Sequence, residues 1–132
     1  MKALRHILWG LLYIFARLFL RESPIILMYH SISRDGSLHT VTPEHFHAQM
    51  KELAKTGKVV PLSALVEGLE DKKGRGVIAV TFDDGYKDFL TTALPTLREF
   101  TIPATLFVSG GDVDRAELGN ALPLLSKEEL RA

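Results

Sequence analysis

Asp83 and Asp84 stand side by side, with Gly85 and Tyr86 next, at the end of the run Gly76-Val77-Ile78-Ala79-Val80-Thr81-Phe82. Two carboxylates this close raise each other's pKa unless a cation sits between them. The pair therefore suits divided labour, one acid gripping a metal ion and its neighbour acting as acid or base. An Asp-Gly step after a strand also serves as an ordinary turn, and the second Asp is what tips the reading towards chemistry. Neither charge could be buried unpaired without a heavy cost.

The element that must position this pair is the strand before it. Val77 to Val80 is a short, unbroken, β-branched apolar run bounded by glycines, the pattern of a strand buried on both faces. Pro24 to His30 (PIILMYH) reads as a second buried strand, ending in Tyr29 and His30, so His30 is expected at the same strand-end layer as Asp83. Pro103 precedes a third buried strand, Ala104 to Val108, closed by Ser109-Gly110-Gly111. Ser31 to Val41 reads as a polar loop shaping a rim, with His39 towards solvent.

Helices separate these strands. Thr42 is the expected N-cap with Pro43 at the first helical position, and Phe46, Met50, Leu53 and Ala54 recur at helical spacing until Gly57. His45 and His47 fall on that helix two residues apart, so they point to different faces and cannot form an i, i+4 metal pair. Lys58 to Pro61 suggests a short strand, and Ser63 a cap for a helix over Ala64 to Leu69. From Lys87 to Phe100, the residues Leu90, Ala93, Leu94, Leu97 and Phe100 keep helical spacing, with Pro95 expected to bend the helix. Alternation of strands and helices implies an α/β fold with parallel pairing and right-handed crossovers.

Thr81-Phe82-Asp83-Asp84-Gly85-Tyr86 resembles the first motif of the polysaccharide deacetylases, the NodB-homology or carbohydrate esterase 4 family. Pro24 to His30, the Thr42-Pro43-Glu44-His45-Phe46 helix start and Ile102 to Val108 are similar to the branch that includes poly-N-acetylglucosamine deacetylases. The resemblance runs from about Pro24 to the last residue. It implies the N-terminal part of a distorted (β/α) barrel preceded by an amphipathic helix. It also implies a metal-dependent hydrolase that removes N-acetyl groups from a polysaccharide, breaking C–N amide bonds other than peptide bonds. By the same resemblance Asp83 is the general base and Asp84 a metal ligand, with His30, Tyr29 and Tyr86 near the substrate. The expected cofactor is a divalent metal, Zn2+ first because it suits an Asp-His-His set with an open position, with other divalent metals as alternatives.

The 132 residues, 46% hydrophobic and 24% charged, suffice for one modest domain. Sixteen basic and sixteen acidic side chains cancel, and no basic stripe interleaved with aromatics appears outside the N-terminus, which argues against a nucleic-acid partner. Cysteine is absent, which removes disulfides and thiolate metal sites while leaving oxygen- and nitrogen-ligated metals open.

Residues 1–22 form a separate unit in this reading, a basic amphipathic or signal/anchor helix ahead of a partial deacetylase domain over 23–132. Lys2, Arg5, His6, Trp9, Tyr13 and Arg17 project to one side and Leu4, Ile7, Leu8, Leu11, Ile14, Phe15, Leu18 and Phe19 to the other, the pattern of a helix lying on a membrane surface. Arg17 interrupts a run too short to cross a bilayer. The expected location is membrane-associated or exported, in the cell envelope.

Asp112 to Pro123 reads as a loop, and Ser126-Lys127-Glu128-Glu129 as the capping box of a helix that stops at Ala132. The family's second motif, with two histidine ligands, does not follow. The chain is therefore expected to be an incomplete, inactive fragment of a longer enzyme. Two other readings compete. A haloacid dehalogenase-type phosphotransferase needs a second Asp two positions after the first, where Gly85 stands. The alternative is a non-catalytic, membrane-tethered carbohydrate-binding or structural remnant.

Overall fold

The computed structural model describes residues 23–36, 39–70, 76–109 and 123–131; the expected helix of residues 1–22 and the loop of 112–122 lie outside them. In chain order the elements are strands β1 (Ile25–Tyr29), β2 (Ser31–Ile32) and β3 (Thr40–Val41), helices α1 (Pro43–Thr56) and α2 (Leu62–Glu70), and strand β4 (Ile78–Phe82). A π-helical turn (Phe89–Ala93), helix α3 (Leu94–Glu99), strand β5 (Ala104–Leu106) and a 3-10 turn (Glu129–Arg131) complete them. The fold is α/β, with all named strand pairs parallel.

β4 is the centre of the sheet, in the order β1-β4-β5. Its last four residues, Ala79 to Phe82, are buried, as the β-branched run requires. Its register with β1 runs from Ile25 opposite Ile78 to Tyr29 opposite Phe82. That register sets His30 and Asp83 at one level, and the Asp83 N–H donates to the Tyr29 carbonyl at 2.9 Å.

Four aromatic rings form the core directly beneath that level. Phe46 of α1 meets Tyr29 edge-on at 5.2 Å, Tyr29 stacks on Phe82 at 5.5 Å, and Phe89 meets Phe82 edge-on at 5.0 Å. Offset and edge-to-face arrangements are those the ring quadrupole favours. Met50, Leu97 and Ile102 close the cluster from the helices and the approach to β5.

Several elements differ from the sequence expectation. β1 is apolar but not buried on both faces: Ile26 is 52% and Met28 59% exposed, while Tyr29 on the alternate face is in the core. A parallel strand is enclosed only where something packs on each face, and among the described residues only the face towards α1 is covered. β5 is half-buried for the same reason and ends at Leu106, with Phe107 and Val108 exposed. The expected strand at Lys58 to Pro61 is a single parallel bridge, Val59 to Ile78. Ser31 to Val41 is more than a loop, because β2 and β3 pair within it and bury Ser31 and Ile32.

The helix ends follow local chemistry closely at α1. Thr42 Oγ1 accepts from the His45 N–H, Pro43 takes the first turn, and Gly57 ends the helix in the left-handed conformation with its N–H on the Ala54 carbonyl. α2 begins at Leu62, so Ser63 lies inside the helix instead of capping it. Pro95 does not kink a continuous helix. The π-helical turn before it absorbs the mismatch, and Pro95 falls in the first turn of α3, where its missing N–H has no partner to lose.

Candidate active site

Two neighbouring left-handed residues make the turn after β4. Asp84 and Gly85 both hold positive φ, 70° and 75°. Asp tolerates this conformation because its short polar side chain does, and glycine because it has no Cβ. At Gly85 a Cβ would also stand 2.8 Å from Val108 Cγ1, so a side chain there would require Val108 to shift. Two successive left-handed residues reverse the strand at its carboxyl end and leave Asp83 and Asp84 half-buried at the rim of the sheet.

Of the residues picked out in sequence, His30 and Asp84 are brought together: His30 Nε2 lies 4.0 Å from Asp84 Oδ2. His39, expected to face solvent, is exposed but stacks on His30 at 5.2 Å and 29°. Tyr86 stands near the acids, its phenol pushed above its ordinary pKa by burial first and then by the charges of Asp84, Asp88 and Asp35. Tyr29 belongs to the site only through its carbonyl. Strand alternation turns its ring into the core, where its hydroxyl donates to Gln49 Oε1 at 2.9 Å and burial raises its pKa.

Residues not singled out in sequence hold the turn in place. Asp88, four residues after Asp84, reaches back to the segment following His30, its Oδ2 accepting from Ser31 Oγ at 2.5 Å and the Ile32 N–H at 3.1 Å. On another side, Pro123 to Leu125 straps the motif. The Leu125 N–H donates to the Gly85 carbonyl and the Lys87 N–H to the Pro123 carbonyl, each at 2.8 Å. Leu125 is buried and Lys87 Nζ pairs with Glu129 Oε1 at 2.8 Å. The capping box expected at Ser126 is formed, Ser126 Oγ accepting from the Glu129 N–H and Glu129 Oε2 from the Ser126 N–H. Contacts spanning tens of residues leave no local periodicity, so no sequence signal marks Ser31 or Leu125.

Among the described residues no group of three or more His, Asp or Glu side chains is placed to hold a metal ion. The donor set there is partial, a carboxylate on Asp84 with an imidazole on His30 beside it.

A family model described as polysaccharide deacetylase matches residues 70–132. YxkH of Bacillus subtilis (strain 168), assigned to the polysaccharide deacetylases, is 40% identical over 91 residues, covering 67% of this chain and 32% of YxkH. Among solved structures, the Streptococcus pyogenes deacetylase PplD, in complex with acetate, superposes with a TM-score of 0.69 at 24% identity, over 85% of this chain and 52% of PplD. BA0330 of Bacillus anthracis, likewise assigned to the polysaccharide deacetylases, gives a TM-score of 0.63 at 30% identity, over 84% of this chain and 36% of its own. The chain therefore spans between about a third and a half of the length of these relatives. With the acid pair at the end of the central strand, a matching family model and matching folds, the chain belongs with the polysaccharide deacetylases.

Proposed function

We propose that this chain carries the acid pair of a metal-dependent deacetylase that removes acetyl groups from the amines of an N-acetylated polysaccharide. The observation that carries the reading is the placement of Asp83 and Asp84 at the carboxyl end of β4, with His30 4.0 Å from Asp84. In parallel α/β sheets that end is where ligands collect.

Asp84 would hold a divalent cation, Zn2+ being the best match to a carboxylate and imidazole donor set, with the remaining donors supplied from outside the described residues. Such a cation, when bound, lowers the pKa of a water molecule and polarises the acetyl carbonyl. Asp83 accepts the proton of the attacking water as its oxygen adds to the acetyl carbon. The C–N bond then breaks, acetate leaves, and the sugar nitrogen takes a proton to become the amine. His30 faces Asp84 across the rim and orients its carboxylate, as histidine and carboxylate partners do around metals. An exported or membrane-surface location would bring the site to cell-envelope glycans, consistent with the basic amphipathic pattern of residues 1–22.

The test is acetate release from N-acetylglucosamine oligomers with zinc added, on a protein that joins residues 1–132 to the remaining metal donors. Asp83→Asn should lower the rate by about a hundredfold or more while leaving zinc affinity in place, and Asp84→Ala should weaken zinc binding itself. Oligomer binding without acetate release, unchanged in both variants, would instead support a carbohydrate-binding role.

A further inference from the structure

Pairing of β1 with β4 fixes Tyr29 against Phe82, but the ladder ends there, and the chain beyond Tyr29 has to leave the sheet to form β2. The sheet therefore fixes His30 from the Tyr29 side and His39 stacks on its ring, while its other backbone neighbour depends on what holds the residues that follow. Asp88 holds them from 57 positions away, its Oδ2 taking both the Ser31 hydroxyl and, one residue further on, the Ile32 N–H.

Asp88 precedes the π-helical turn, where a carboxylate would normally cap the free N–H groups, yet its side chain makes no capping bond. It is committed to the other segment. The arrangement is not the one that stability alone would select: Asp88 Oδ1 is buried with no hydrogen-bond partner among the described residues, and burial pushes the carboxyl above its ordinary range despite the two donors on Oδ2. A half-satisfied buried acid costs free energy that an apolar side chain would not, whereas two directed bonds fix a backbone position that apolar packing would leave loose.

We propose that Asp88 is a positioning residue, fastening the Ser31–Ile32 peptide to the first turn after the acid pair and so setting where His30 stands relative to Asp84. This rests on the reading that His30 and Asp84 work as a pair, but it concerns their placement and needs neither metal nor sugar to be tested.

The experiment records the imidazole nitrogen resonances of His30 in the full chain at one pH, with chelator present, and the change in them caused by Asp84→Asn. That change reports the closeness of the two side chains. It is expected to persist in an Asp88→Asn background, where an acceptor oxygen remains for both donors. In Asp88→Ala it should be lost, and in Ser31→Ala, which removes one of the two bonds, reduced. If Asp88→Ala does not fold, Ser31→Ala and Asp88→Asn carry the comparison. An Asp84→Asn response of native size in Asp88→Ala or Ser31→Ala, or one as diminished in Asp88→Asn as in Asp88→Ala, would overturn the proposal. Because no turnover is measured, a failure here leaves the deacetylase reading standing, and a failure of acetate release leaves this placement standing.

Discussion

Asp88 and Gly85 show how much of the site depends on single residues. Burial raises the Asp88 carboxyl above its unfolded value, and the charge of Asp35 adds to the rise. A group raised in this way favours folding while it is protonated. Its contribution is complete below the ordinary carboxylate pKa and is lost as pH rises through the elevated folded value. Asp88→Asn, which stays neutral, should therefore be more stable than the native chain at neutral pH, with the difference vanishing in acid; urea midpoints measured across that range check it. At Gly85 two separate penalties can be told apart. Gly85→Ala should cost about 1–3 kcal/mol for the left-handed backbone, plus the clash with Val108 Cγ1. Adding Val108→Ala should recover the clash and leave the backbone cost, as a double-mutant cycle in denaturant would show.

At the scale of elements, the strap from Pro123 to Leu125 carries no catalytic chemistry yet closes the motif through two backbone bonds and one buried leucine. Leu125→Ala should cost about 2–5 kcal/mol if the segment opens together with the rest of the chain. If it opens by itself, hydrogen exchange at the Lys87 and Leu125 amides should accelerate while the amides of β4 keep their protection. The two outcomes distinguish a strap that is part of the core from one that clasps a preformed turn. The π-helical turn ahead of Pro95 runs directly into α3, and Ala93 and Leu97, one helical turn apart, are both buried.

For the whole molecule, the aromatic cluster links the core to the rim. Tyr29 and Phe82 immediately precede His30 and Asp83, so the packing that orders the sheet also sets the height at which the polar residues emerge. Phe82 is fully buried, and Phe82→Ala should cost about 3–5 kcal/mol against a total of about 5–15 kcal/mol for a folded domain. Thermal unfolding monitored by near-ultraviolet circular dichroism should show a large fall in Tm, with loss of the aromatic signal. The outer face of β1 contributes little to this core, since Ile26 and Met28 stay in contact with solvent.

The central strand, the first helix with both its caps, the capping box at Ser126 and the level shared by His30 and Asp83 were all legible in the amino-acid sequence. Each depends on neighbours within a few residues, or on the fixed two-residue period of a strand. That Asp83 and Asp84 follow the end of the central strand was legible too, because the strand's apolar run stops just before them. What only the tertiary structure decided are relations between distant segments: the reach of Asp88 to Ser31 and Ile32, the stacking of His39 on His30, the strap on Gly85, and the exposure of one face of β1. Burial and hydrogen-bond partnership are properties of what lies across a gap in space, and a side chain's own sequence neighbours do not specify them.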